Sequence, residues 1–346
     1  DNATQIGMRT EIDERHTLYA QERFVDEGGS QSATTVVGGE ERWGRDKSGR
    51  TYGEYQLETG ELGLTNRTVV GMGKRTRLTR SLTIDGGYER SQVASDVPGA
   101  MSRDVLSSGF GWNPRKRLKI AGRYELRYED NDESIDLRDR YQFLTLNSLR
   151  LVIHRDWTLG LQFNYSHTFD LEIEGTEAEL MEGSIGLAYR PPVHTWIIVL
   201  SKYTKRYEQY PITVESELPH RTETDVVSLI PIFELPFNFQ LVEKFALKRT
   251  ATRVDRLPTV VGHSLLWINR LNYHVTDTWD AGVEYRRLES TLAQNALQGA
   301  LVELNYIIKK KIRLGVGYNF SSFSDNEFSQ LDEDHGGPFF RVIGQY

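Results

Sequence analysis

The chain has 346 residues, 38% of them hydrophobic, with 17 tyrosines, 30 glycines, 10 prolines and no cysteine. Its formal net charge of −7 argues against a dedicated nucleic-acid binder, and no run approaches the ~18 consecutive apolar residues of a transmembrane helix. A mean hydropathy of −0.51 does not exclude a membrane barrel, because only alternate strand residues there meet lipid.

Aromatic and glycine enrichment with little proline suits strands and tight turns. The lack of cysteine fits a chain that crosses an oxidising periplasm unfolded. The chain opens at Asp1 as DNATQIG without a signal peptide. The expectation is a mature chain or a domain cut from something longer, with an export signal upstream.

In chain order, a first strand is expected over Thr4 to Ile12, although residues 1–75 alternate less cleanly than the rest. Gly71 and Gly73 sit in a strand with no following helix, as do Gly315 and Gly317. None of them makes a phosphate loop, and glycine among aromatics in a curved sheet is the plainer account. From Leu118 to Tyr128 the period is two. Leu118, Ile120, Gly122, Tyr124, Leu126 and Tyr128 share one face, and Lys119, Ala121, Arg123, Glu125 and Arg127 share the other.

The same alternation recurs downstream. Trp157, Leu159, Leu161, Phe163, Tyr165 and Phe169 face away from Thr158, Gly160, Gln162, Asn164, Ser166 and Asp170. Trp279, Ala281, Val283 and Tyr285 alternate with Asp280, Gly282, Glu284 and Arg286. Ile312, Leu314, Val316, Tyr318 and Phe320 alternate with Arg313, Gly315, Gly317, Asn319 and Ser321. In Phe237, Phe239, Leu241, Phe245 and Leu247 the apolar face is interrupted by Glu243, which calls for a bulge or for a position near the headgroups.

Short turns at residues 113–116, 154–156, 191–194, 234–236, 276–278 and 309–311 precede strands expected to open at Leu118, Trp157, Trp196, Phe237, Trp279 and Ile312. Their spacing is about 40 residues, room for two strands of about 10 with one short and one longer connection. The longer, polar connections are expected at residues 130–134, 172–177, 208–224 and 325–337. Short turns belong on the periplasmic side of an outer-membrane barrel and long loops outside the cell. Trp157, Trp196 and Trp279 each stand by a short turn and read as part of a periplasmic aromatic girdle. About 19 strand-like segments can be counted. Because single-chain bacterial barrels have even counts, the expectation is an all-β, antiparallel up-and-down barrel of about 18 strands, within 16 to 20, as one domain over residues 1–346.

The chain ends Phe339-Phe340-Arg341-Val342-Ile343-Gly344-Gln345-Tyr346. Phe340, Val342 and Tyr346 on one face of a last strand resemble the signal read by the bacterial barrel-assembly machinery. Two longer stretches carry a further likeness. One is Leu266 to His274 (LWINRLNYH) with Thr278 to Arg286 (TWDAGVEYR). The other is Arg313 to Phe320 (RLGVGYNF) with Gly337 to Val342 (GPFFRV). They resemble the C-terminal barrel of large multidomain bacterial surface proteins, most closely over residues 223–346. That resemblance implies a membrane barrel with a long repeat-rich region before it. It supplies no catalytic residues.

The face expected to point inward carries mixed charge: Lys119, Arg123, Glu125, Arg127, Arg190, Glu284, Arg286, Glu303 and Arg313. These charges suit either a solute-selecting pore or a salt-bridged filling. The acidic tip Asp325, Glu327, Asp332, Glu333, Asp334 with His335 lacks the ligand spacing of a calcium loop and reads as a solvated loop. No histidine pair has metal-ligand spacing. Ser264 and His263 are strand neighbours that point to opposite faces, which rules out joint catalysis. No enzyme activity, metal or cofactor is expected. The expected role is to anchor or translocate a larger surface or periplasmic region, with a porin-like channel for small solutes as the alternative. The expected partners are outer-membrane lipid and lipopolysaccharide, the assembly machinery, and an N-terminal passenger region or partner protein, with no nucleic acid.

Overall fold

A computed structural model of the chain describes residues 2–344 apart from 28–29, 61–62, 96–99, 133–138, 173, 194, 211–219, 255–256, 293–294, 309–311 and 321–336. Tyr346 and the acidic tip lie outside the described residues. All regular structure among them is strand, organised as an antiparallel up-and-down sheet of 19 strands. The parity argument had moved the count from 19 to 18. The 19 strands among the described residues fall within the expected range of 16 to 20.

Two compact units divide the chain. The first spans Asp1–Leu149, Phe163–Met181 and Gln209–Thr213. It contains β1 (Asn2–Glu11), β2 (His16–Glu27), β3 (Ser30–Trp43), β4 (Gly49–Gly60), β5 (Gly63–Arg77), β6 (Leu82–Ser95), β7 (Ala100–Arg115) and β8 (Leu118–Asp132), paired in sequence order. Strands β9 (Arg140–His154), β10 (Trp157–Asp170), β11 (Gly175–Tyr189) and β12 (Ile197–Tyr210) contribute to both units. The second unit contains β13 (His220–Leu235), β14 (Phe239–Val254), β15 (Val260–His274), β16 (Trp279–Ser290), β17 (Asn295–Ile308), β18 (Ile312–Asn319) and β19 (Gly337–Gly344), also paired in order.

Burial follows the alternation most cleanly on β16. On β16 the polar set Asp280, Glu284 and Arg286 is buried, whereas Val283 is 57% exposed. On β8 Glu125 is buried and Leu126 is 55% exposed. At these positions burial is inverted relative to a water-soluble protein, with the apolar side chains outside and the charged ones covered. A buried apolar cluster sits on this polar face, where Ala246, Leu266 and Leu288 lie in one cross-strand row with Ile268 beside them.

Expected strand starts hold at Leu118, Trp157, Trp279 and Ile312. Two shift. β12 starts at Ile197, leaving Trp196 in the turn behind Pro191 and Pro192. β14 starts at Phe239, because Phe237 and Asn238 both take positive φ (62° each) and turn the hairpin. Phe237 therefore belongs to the turn and not to the apolar face. The connection expected over 172–177 is shorter than foreseen, since β11 already runs from Gly175. The register of β14 against β15 passes Glu243 without a shift, so there is no bulge there. Asn269 Nδ2 instead donates to Glu243 Oε1 at 3.2 Å.

Candidate functional site: the polar face

In the second unit the polar face carries two groups of paired charges on β15 to β19. Arg270 donates to Glu284 at 3.1 Å, to Asn272 at 2.8 Å and to Glu303. Glu284 also pairs with Arg286, and Glu303 accepts from Asn305 at 2.8 Å and lies 3.6 Å from Arg341. Asp280 bridges Arg313 at 3.3 Å and His274 at 2.6 Å. Buried charges of this kind persist only when paired. Gly282 stands between Asn272 and Glu303 in the cross-strand row. A Cβ there would come within 2.9 Å of an Arg270 nitrogen. Glycine leaves the space that the guanidinium fills.

The first unit repeats the principle with different chemistry. Glu125 is held between Arg123 at 2.6 Å and Arg127 at 2.8 Å. A chain of ions runs from Arg103 through Glu129 and Arg140 to Glu177. Nearer the start, two tyrosines span three strands each. Tyr19, Gly38 and Glu54 form one cross-strand row, and Tyr52, Gly71 and Glu89 form another. Each tyrosine ring lies on the glycine, and its hydroxyl donates to the carboxylate beyond.

A hollow of about 1280 Å³ opens on this polar face of the first unit, lined from β1 and from β3 through β8. Arg42, Arg50, Arg75 and Arg77 reach it, and so do Arg123, Glu125 and Arg127.

The structure therefore brings together Glu284, Arg286 and Glu303 around Arg270, pairs Arg313 separately with Asp280, and joins Arg123, Glu125 and Arg127. Lys119 is exposed near the start of β8 and has no ion pair among the described residues. Arg190 departs from the expectation. It lies just past the end of β11, exposed, with its amide donating to the carbonyl of Asp156 in the β9–β10 turn at 2.7 Å. The two prolines that follow cannot donate to a ladder, and they end the strand before it. Arg270 and Arg341 were not expected on this face, and Asp280, placed there by its alternation, was not counted among the inward charges.

On the apolar face, Trp157 and Trp279 open their strands and Trp196 lies one residue before β12, all exposed. Trp157 packs on Tyr189 with centroids 4.8 Å apart, and Trp279 on Tyr306 at 4.9 Å. Trp43 ends β3 and Trp112 lies three residues before the end of β7, so five of the six tryptophans stand at or near strand ends. Phe340 and Val342 are exposed on the apolar face of β19. Among the described residues no group of His, Asp or Glu is arranged to hold a metal.

No family model matches the chain, and no curated protein matches it in sequence. Solved structures do match in shape. The alcaligin outer-membrane receptor FauA from Bordetella pertussis aligns over 99% of this chain and 73% of its own, with 12% identity and a TM-score of 0.58. The copper transporter OprC aligns over 98% and 70%, with 10% identity and a TM-score of 0.57. The siderophore receptor PiuA from Acinetobacter baumannii aligns over 98% and 72%, with 10% identity and a TM-score of 0.51. The fold class is the antiparallel up-and-down β-barrel found in outer-membrane proteins. At such identities the likeness concerns the fold alone.

Proposed function

We propose that the chain is an integral outer-membrane barrel that anchors or translocates a larger surface or periplasmic region. The observation that carries membrane integration is the inverted burial. Val283, Leu126 and Phe340 are each more than half exposed, while Glu125, Glu284 and Glu303 are covered. An apolar face of this extent is stable against hydrocarbon and unstable against water. Supporting the rest of the reading, tryptophans collect near strand ends, as at a membrane interface. Phe340 and Val342 present the exposed apolar pattern on which an assembly signal would depend. In this reading the short turns are periplasmic, the long loops are extracellular, and lipid and lipopolysaccharide surround the apolar face. No catalytic role is proposed.

A second reading is favoured by one feature: the solvent-open polar hollow of the first unit suits a channel for small solutes. Planar-bilayer conductance separates the two. A purified chain that inserts but passes no current supports the anchor, and stepwise conductance favours the channel. Recovery in the soluble fraction of cells without detergent would refute both.

A further inference from the structure

The hollow of the first unit carries a charge that anchoring does not require. Eleven lysines and arginines line it against five carboxylates, in a chain whose net charge is −7. The local excess therefore runs against the composition of the whole. Two relationships show that it is not neutralised within the protein. Arg42 and Arg50 stand directly opposite each other across β3 and β4. They share one carboxylate, Glu40, at 2.9 and 3.7 Å. Like charges opposed across a ladder repel, and one carboxylate answers only one of them. Arg75 is exposed on the polar face of β5, two residues from Arg77, and makes no ion pair among the described residues.

Beneath these guanidiniums the wall is thin. Gly73 and Gly87 are directly paired and both line the hollow. A Cβ on Gly87 would meet Ser107 Oγ at 3.1 Å and the Met72 carbonyl at 3.2 Å. Bare backbone thus forms the floor, and planar, permanently charged forks form the sides. Guanidinium forks pair with carboxylate and phosphate oxygens two at a time. The volume exceeds the range of about 300–1000 Å³ typical of small-molecule sites, so a single small anion would leave most of the charge unanswered.

We propose that this hollow binds a solute bearing two or more oxyanionic groups, phosphates or carboxylates, with Arg42, Arg50 and Arg75 as its main counter-charges. The inference rests on the membrane-barrel reading in that the polar face must be open to water in the inserted protein.

The full chain is refolded in uncharged detergent micelles, and folding is read from heat-modifiable migration on a gel. Calorimetric titrations with pyrophosphate and with citrate follow. Binding of either that weakens steeply with salt is expected, and the tighter of the two identifies the preferred group. The double variant Arg42→Gln/Arg75→Gln should bind about tenfold more weakly or worse. Arg287→Gln, on the apolar face of the other unit, should bind as the parent does. Phenylglyoxal labelling tests the unaltered protein: pyrophosphate or citrate should shield Arg75, as read by mass spectrometry. A folded chain that binds neither anion overturns the proposal, as does an undiminished double variant or an unshielded Arg75. A chain that does not fold in micelles counts instead against the membrane-barrel reading.

Discussion

Tyr19 reaches Glu54 over an intervening strand, its hydroxyl donating to the carboxylate at 2.6 Å while its ring covers Gly38. The row Tyr52, Gly71, Glu89 repeats the arrangement two strands on. A glycine that gives its space to a cross-strand ring loses less than an isolated strand glycine, because the ring shields the backbone that the missing side chain exposes. The row therefore ties three strands together at one level of the wall.

This arrangement makes Gly38 sensitive to a single methyl group. A Cβ at Gly38 would lie 2.5 Å from the Tyr19 ring, so Gly38→Ala must lift the ring and break the hydroxyl bond. A loss of about 1–3 kcal/mol is expected from overpacking. Tyr19→Phe, which keeps the ring, should lose only about 1 kcal/mol. Urea unfolding from lipid vesicles measures both. Equal losses would show that the ring, not the hydroxyl bond, is irrelevant to the row.

How much of this was readable beforehand differs by region. From Leu118 onward, the alternation of long apolar and polar side chains located the strands and the charged face. Glu284, Arg286, Glu303 and Arg313 could be assigned to that face because the period is two and long apolar side chains fill the opposite face of their strands. In the first strands glycine takes many polar-face places, as at Gly38, Gly71 and Gly73, so the hydrophobic contrast between faces is weak. The tyrosine rows and the basic hollow depend on which residues oppose each other across strands. That register is not written in any one strand. Trp43 and Trp112 lie outside the expected girdle for a related reason: Trp43 ends its strand and Trp112 stands three residues before the end of its own, whereas the girdle tryptophans follow their turns.

The charge network of the second unit should fail as a unit. Glu303 is 6% exposed and takes bonds from Arg270 and Asn305. Glu303→Ala leaves the Arg270 charge under-compensated, and about 1.5–3 kcal/mol of stability should go with it. Adding Arg270→Ala to that variant should cost less than Arg270→Ala costs alone. A double-mutant cycle by urea titration reads the coupling, and strict additivity would mean that the pair acts independently.

Val283 tests what the apolar face meets. It lies in a cross-strand row between Leu271 and Val302, all three exposed. Against hydrocarbon, Val283→Arg should cost about 2–4 kcal/mol in the folding equilibrium into bilayers. Against water, an exposed substitution stays within about 0.5 kcal/mol. The smaller value would place this face outside lipid.

The turn between β1 and β2 has its own dependence on pH. Asp13 accepts the Arg15 amide at 2.7 Å and the His16 amide at 2.8 Å, with the His16 ring on the same carboxylate. The Arg15 amide first, and then the bonds from His16, hold its pKa down from 3.8 to about 2. A folded-state value below the unfolded one stabilises the turn above the unfolded pKa. That contribution fades as the pH falls from about 4 through about 2. Asp13→Asn removes the titration, so its unfolding midpoint should fall less steeply than the parent's over that window. Parallel curves would exclude Asp13 from the effect.

Tryptophan depth offers the most direct view of how the sheet meets the bilayer. Trp279 begins β16 beside a short turn, whereas Trp267 lies midway along β15, stacked on Phe245 with centroids 6.5 Å apart. Strands rise about 3.3 Å per residue, so the seven residues from Trp267 to the end of β15 at His274 separate it from that interface by most of a leaflet. In single-tryptophan variants, lipids brominated near the headgroup should quench Trp279 most, and lipids brominated deep in the chain should quench Trp267 most. Trp157 and Trp196 should behave as Trp279 does. If Trp279 and Trp267 responded alike to both lipids, the short-turn ends would not lie at a membrane interface.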